Sequence, residues 1–369
     1  MKLSLPAAIL DKALARTERV IERRNTIPIL SNLRLAARPG LLEITGTDLD
    51  IEVRTTIEAE VSEAGETTLP ASVLKQIVAK SKAGEISIEL EGEETARLAA
   101  GRAKWNLQAL AASDYPDLTG GEFPASFPLA AADLVKIATK LSFAISTEET
   151  RYYLNGVYFH QLGDSLVSVA TDGHRLGRVR IPLPEGAGGM PNVIIPRKAI
   201  AEIEKIAGAA EADAIATIEL SDTKIRITLG NTVLTSKLID GTFPDYTRVI
   251  PAAEGTEATL DTSALRAAVD RVSTVASERG RAVKLAFAND QVTLACTNPD
   301  AGTASDTIEG KLDGDPIEIG FNARYVADAL DRISTPNVIL HMANPGAPAR
   351  LHEPGKADDY LIILMPMRV

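Results

Sequence analysis

A weak period of about 126 residues constrains the fold of this chain more than any other feature, because a repeat of that length is a whole domain and not a solenoid unit. Three helix candidates, each following a short strand, are TLPASVLKQIVAKSK, IIPRKAIAEIEKIAG and IGFNARYVADALDRIS. They set Pro70, Pro196 and Asn322 at one equivalent place, at intervals of 126 and 126 residues. A second register agrees: the strand–turn segments LEITGTDLDIEV, SVATDGHRLGRV and TLACTNPDAGTA place Thr47, Thr171 and Thr297 at intervals of 124 and 126. The openings of the copies also match, as LPAAILDKALARTERVIE, LAAADLVKIATKLSFAI and LDTSALRAAVDRVSTVA.

Each opening carries apolar residues at helical spacing, for example Leu134, Ile137, Ala138 and Leu141. Asp133 and Ser263 suit the first turn of such helices. Between the helices, EISIEL, KIRITL and VKLAF alternate with the period of two expected for half-buried strands. Turns are signalled at Pro39–Gly40, Asp172–Gly173 and Asp240–Gly241. Each copy therefore reads as two helices and about eight short strands. Pro/Gly-rich stretches near 120–128 and 250–257 divide the chain into three α+β domains, expected at 1–122, 127–252 and 256–369.

The N-terminus meets Asp11, Lys12 and Arg16 too early for a secretory signal, and no apolar run is long enough to span a bilayer, so the expected location is the cytoplasm. The single cysteine, Cys296, sits in a strand-like run, QVTLACT, and reads as a buried, inert thiol. His160, His341 and His352 lack metal-ligand spacing, and EGAGGMPN at 185–192 lacks the lysine and hydroxyl of a phosphate loop. No cofactor is expected.

The net charge of −11 argues against a surface coated in basic residues. Its distribution is uneven. The six helical windows 9–24, 71–83, 131–142, 196–207, 261–279 and 322–333 together carry +7, which leaves −18 on the sheets and loops. That partition suits helices that face phosphate and an outer surface that repels it, although helices favour lysine and arginine in any case. Packed side by side, six helices enclose a hole of about 10 Å and twelve a hole of roughly 28 Å. A duplex with grooves about 8 Å deep needs the larger one, hence two chains.

The segments TIPILSNLRL (26–35), TGTDLDIEV (45–53), RYYLNG (151–156), ATDGHRLG (170–177), TSKLIDGTFPDY (235–246) and the terminal MPMR (365–368) resemble, in order and across all three copies, the beta subunit of bacterial DNA polymerase III. The resemblance implies a non-catalytic sliding clamp: a head-to-tail homodimer whose six domains line a hole with twelve helices. It implies duplex DNA, the polymerase catalytic subunit, an ATP-dependent clamp loader, repair polymerases, ligase and mismatch-repair proteins as partners. These proteins would insert a short, largely hydrophobic peptide into a pocket between the second and third domains.

Carried over residue by residue, that pocket takes Leu154, Thr171, Gly173, His174, Arg175 and Leu176 from the second domain. Pro244, Arg248 and Val249 follow, then Asn322 and Tyr325. The C-terminal run Ile363, Leu364, Met365, Pro366, Met367 and Arg368 closes it. Leucine, valine and methionine would form an adaptable apolar groove, with His174, Arg175 and Arg248 as donors to a peptide backbone. DNA contacts implied in the same way are Arg24, Arg151, Tyr152 and Tyr153, with Arg197 and Lys198 on a helix. Glu148 and Glu149 beside this loop depart from a family pattern in which a neutral glutamine can stand, and they weaken its attraction for phosphate. The dimer contact would pair Lys75, Trp105 and Leu107 with Thr274 and Val275.

Two rival readings compete with a clamp. Asp172 with His174, and Asp48 with Asp50, could serve a metal- or acid/base-dependent nucleic-acid hydrolase; the plainer reading makes both segments tight turns. A scaffold binding proteins alone would show no helical charge bias. Trp105, on an alternating strand, suits core or interface, and DYLIILMPMRV reads as a last buried strand running into the pocket.

Overall fold

The computed structural model describes every residue except 23, 82–83, 93, 253, 277–281 and 369. The charges of Arg23, Lys82, Glu278 and Arg279 in the helical windows thus lie outside the described residues. Among the described residues the α-helices are α1 (Ala7–Thr17), α2 (Ala71–Lys80), α3 (Ala131–Leu141), α4 (Arg197–Gly208), α5 (Thr262–Val272) and α6 (Ala323–Leu330). Every one is entered directly from a strand. Pro70, Pro196 and Asn322 are each the last strand residue before a helix, so the 126-residue register is a register of helix starts.

The local chemistry of those starts differs from copy to copy. Pro70, with φ −55°, opens α2 by fixing the extended entry without needing a main-chain donor. Asn322 instead accepts a hydrogen bond from the Arg324 N–H at 3.0 Å, and Asp261 accepts from the Ala264 N–H at 2.7 Å. The helices bury one stripe each, such as Ala7, Leu10, Ala13, Leu14 and Thr17 in α1 and Leu265, Ala268, Val269 and Val272 in α5.

Packing gathers the chain into two compact units. The first holds Met1–Val135, Pro184–Pro191 and Lys198–Leu238; the second holds Lys136–Leu183, Asn192–Arg197 and Ile239–Val369. In the first, a five-stranded antiparallel sheet runs in the order Glu60–Glu63, Lys2–Pro6, Glu85–Glu91, Thr95–Ala100, Ala103–Gln108. Beside it an eight-stranded sheet continues without a break from the second repeat into the first, because Thr232–Ser236 pairs with Ile51–Thr55. Leu3, Leu5, Leu10, Leu14, Leu33, Leu35 and Ile44 form the core of the first repeat. The segment after it is stitched down by polar contacts. The Tyr115 hydroxyl donates to the Asn32 and Thr45 carbonyls, and Lys224 Nζ donates to the Leu118 and Gly120 carbonyls at 2.9 and 2.7 Å.

The second unit is organised by a twelve-stranded antiparallel sheet. Its repeats join where Arg175–Val179 pairs with Tyr360–Leu364. Cys296 is buried there in the strand Gln291–Asn298, and burial pushes its thiol up.

A buried ion pair pins this junction. Lys140 Nζ reaches Glu353 Oε1 at 2.8 Å, Ser334 Oγ at 2.7 Å and the Arg332 carbonyl; its own carbonyl accepts the Tyr360 hydroxyl. Glu353, only 2% exposed, also accepts the Ser334 N–H at 2.7 Å and Lys356 Nζ at 3.2 Å. Burial alone would raise the pKa of this carboxyl, but the Lys140 and Ser334 hydrogen bonds outweigh it and hold the group down to about 2. A depressed carboxyl contributes stability that is fully present above its unfolded pKa of 4.5 and is lost as pH falls toward 2. The contribution is roughly 3 kcal/mol at neutral pH. Glu353→Gln should therefore lower stability at pH 7 and flatten its decline between pH 4.5 and 2, as read by denaturant unfolding. An equally steep decline in the variant would assign the acid sensitivity elsewhere.

Candidate functional site

Four segments of the second unit converge beside its repeat junction. They are the 3-10 turn Glu149–Leu154, the hairpin of Ser165–Thr171 and Arg175–Pro182, the 3-10 turn Tyr246–Val249, and Tyr360–Leu364 with the tail that follows. Between them lies a cleft of about 270 Å³. Of the expected pocket residues, Leu154, Thr171, Gly173, Arg175, Leu176, Pro244, Val249, Ile363 and Met365 line it. Leu154, Leu176 and Ile363 form its apolar floor, packed in one buried cluster with Val167, Val169, Phe243 and Tyr246.

The hairpin turn is held by its own side chains. Thr171 Oγ1 donates to the Arg175 carbonyl at 2.7 Å and accepts the Gly173 N–H, while Asp172 Oδ1 accepts the N–H groups of His174 and Arg175. The first repeat builds the same turn from Thr47, Asp48 and Leu49. Leu49 there has φ +82° and Gly173 has φ +88°, so the first two repeats share this backbone demand. At Gly173 the cleft adds a second demand, because a Cβ would stand 2.6 Å from Arg151 Nη1.

Arg175 is held from several sides. Its guanidinium pairs with Asp172 at 3.0 Å and Asp328 at 2.6 Å, and it lies 4.5 Å over the Tyr325 ring and 5.3 Å from the centre of the Phe143 ring. Its Nε is thus engaged in the turn and its Nη1 in reaching α6, which limits what it can offer a peptide backbone. Arg248 is largely exposed and leans on Asp245 at 2.9 Å.

The other expected pocket residues lie outside this cleft. His174 stacks against Tyr325 with ring centres 6.0 Å apart, and its carbonyl accepts the Met365 N–H. Asn322 caps α6, and Leu364 is buried in the sheet. Pro366, Met367 and Arg368 line a separate depression of about 750 Å³ with Ile319, Gly320 and Pro345. Arg151, Tyr153, Asp245 and Tyr246 complete the first cleft. The last two were not foreseen, although the FPDY segment carried them in plain view.

The residues implied for DNA differ in how they are engaged. Arg151 is paired to Glu148 at 2.7 Å, which bears on the concern raised by that acid. Lys198 Nζ is bound by Asp48, Glu22 and the Val20 carbonyl. Tyr152 is 54% exposed and meets Tyr153 edge to face, and Arg24 and Arg197 are exposed without an ion pair among the described residues. Trp105 and Leu107 sit on Ala103–Gln108, the outermost strand of the five-stranded sheet, half-buried against the core. Lys75 pairs with Glu18 inside the chain; Thr274 and Val275 lie in the turn Ser273–Val275, where Asn298 holds the Val275 carbonyl.

The hydrolase reading finds no geometry. Asp172 is consumed by its turn and by Arg175, Asp48 by its turn and by Lys198, and no Asp172–His174 side-chain hydrogen bond forms among the described residues. What remains is a preformed apolar cleft on a repeated, sheet-continuous scaffold, the build of a binding protein.

Each third of the chain matches a domain of one family: residues 1–119 the N-terminal domain, 129–245 the central domain and 247–368 the C-terminal domain of the DNA polymerase III beta subunit. The chain belongs to this family, the bacterial sliding clamps, which are non-catalytic processivity factors. It is 42% identical over 375 residues to the beta sliding clamp of Caulobacter vibrioides and 31% identical over 371 residues to that of Escherichia coli K12, each alignment covering 100% of both chains. Its fold superposes on the sliding clamp of Bartonella birtlesii bound to griselimycin with a TM-score of 0.96 at 42% identity, covering 100% of both chains. The Pseudomonas aeruginosa clamp gives a TM-score of 0.94 at 34% identity, again over 100% of both chains.

Gly173→Ala should cost about 1–2 kcal/mol of stability through its left-handed backbone, besides displacing Arg151. Denaturant unfolding measures this; an unchanged midpoint would show that the turn relaxes freely.

Proposed function

We propose that two chains close head to tail into a ring around duplex DNA, with domains at 1–122, 127–252 and 256–369 and twelve helices toward the hole. The unit-two cleft then receives a short, largely apolar peptide from each client. The observation that carries this reading is the preformed floor of Leu154, Leu176 and Ile363, opened by Met365 and Val249 at its mouth. A flexible methionine beside rigid branched residues suits several related sequences. Clients of this kind are the polymerase catalytic subunit, an ATP-driven loader, repair polymerases, ligase and mismatch-repair proteins, acting in the cytoplasm.

Strand edges support this closure. Among the described residues, Ala103–Gln108 pairs on one side only and Gly302–Glu309 has a partner along one edge, both with exposed side chains on alternate positions. Such edges invite pairing with a second copy. In this reading Lys75, Trp105 and Leu107 of one protomer meet Thr274 and Val275 of its partner. DNA would pass Arg24, Arg151, Tyr152, Tyr153, Arg197 and Lys198. With Arg151 and Lys198 already paired to acids, their hold on phosphate is weak, as sliding requires.

Clamps loaded onto circular DNA should stay bound in high salt and leave when the circle is cut. Loss from intact circles as salt rises would mean ordinary electrostatic binding and would end the ring reading. For closure, Leu107→Asp should weaken dimerisation by more than about tenfold in sedimentation, since it places a charge in an apolar contact. For the cleft, Met365→Ala should lower the affinity of an apolar client peptide by about tenfold in fluorescence anisotropy, with dimerisation unchanged.

A further inference from the structure

The floor of the cleft does not end the face of the sheet on which it lies. Residues directly opposite on paired strands project to the same face. One such row runs Thr171, Leu176, Ile363, Arg350, His341, and the next runs Val169, Arg178, Leu361. Arg350 is therefore one strand beyond Ile363, about 5 Å away in backbone spacing, and Arg178 is two residues along from Leu176, about 7 Å. Both arginines share the face that carries the apolar floor.

Their surroundings are rich in donors and poor in acceptors. Neither guanidinium has a carboxylate at ion-pair distance among the described residues, in a chain with 50 acidic side chains. Arg178 Nη2 reaches the Asp358 carbonyl at 3.3 Å and Arg350 Nη2 the Ala357 carbonyl at 3.4 Å, both long contacts to main chain. The Nε of each is buried without an acceptor. Two residues further along the strand, the Nε of Arg180 donates to a hydroxyl, Ser165 Oγ. Burial, and then the charges of Arg350 and Arg180, keep Arg178 below the usual arginine range even with Tyr246 and Asp358 acting the other way. Like charges crowded on a half-buried face cost energy that an incoming anion would relieve.

We propose that the cleft is the apolar part of a longer docking track, and that Arg178 and Arg350 receive an acidic side chain flanking the apolar core of the client peptide. The inference rests on the docking reading above and adds a client chemistry that this reading leaves open: an aspartate or glutamate at one end of the apolar core. Arg178 and Arg350 set this preference by charge, whereas Leu154, Leu176 and Ile363 set it by fit.

The test uses the full-length chain and labelled peptides: Leu-Ser-Leu-Phe alone, and the same core extended at either end by Asp-Asp or by Asn-Asn. Fluorescence anisotropy should show one Asp-extended form binding about tenfold tighter than its Asn counterpart, the size of a charge-assisted hydrogen bond in a partly desolvated site. The gain should shrink as salt is raised and disappear in Arg178→Gln/Arg350→Gln. Equal binding of Asp and Asn forms at both ends of the wild-type chain overturns the inference, whatever becomes of the variant. A gain that persists in a folded double variant, judged by its unfolding transition, overturns it as well. If the unextended core itself fails to bind, the docking reading falls first.

Discussion

Main-chain pairing of Arg175–Val179 with Tyr360–Leu364 is the interaction on which the half of this protein that carries the cleft depends. It joins two repeats into one sheet, so the floor of the cleft is made by strands distant in sequence yet fixed in register by the ladder. A one-residue slip would turn Ile363 away from Leu176 and dissolve the floor. Lys140, Glu353 and Tyr360 brace the same junction from buried positions. In the proposed docking, a preformed cleft of this kind would spare an incoming peptide much of the ordering cost of binding.

The first junction is built to the same plan with a different set of ion pairs. There Thr232–Ser236 pairs with Ile51–Thr55, and the turn at Thr47–Ile51 copies that at Thr171–Arg175. Asp48, however, is bound by Lys198 near the start of α4, which also ties down Glu22 and the Val20 carbonyl. At the second junction the equivalent carboxylate, Asp172, is taken by Arg175 of its own hairpin. Arg324, the counterpart of Lys198 one period on, turns to Asp328 instead. The first carboxylate is thus held across the repeats and the second within its own hairpin, while Arg175 itself reaches across to Asp328.

Most of the architecture was legible in the chain because it is local. Pro70, Pro196 and Asn322 mark helix starts through their own backbone and capping chemistry, and the Thr–Asp turns close through bonds spanning at most four residues. The cleft was legible only through family resemblance. Tyr246 lines it by packing on strands some eighty residues away, and Pro366, Met367 and Arg368 leave it because the Met367 N–H turns to Gly320. Neither event has a short-range signature. The same holds for Arg178 and Arg350, which no spacing in the sequence would bring together.

The helical charge bias has a similar history. Summed over windows the helices carry +7, but Arg19 and Lys205 both pair with the buried Glu202, Lys75 with Glu18, Lys198 with two acids and Lys140 with Glu353. Paired cations still contribute to the long-range field, yet each would have to give up an acid to hold a phosphate tightly. Affinity for DNA falls steeply with salt in proportion to the phosphates actually neutralised, so few tight contacts mean weak and easily exchanged holding. In the proposed ring that is a consistent division of labour. Topology retains the DNA, a diffuse positive field centres it, and the strong, directional interactions are reserved for the junctions that keep the scaffold in one shape.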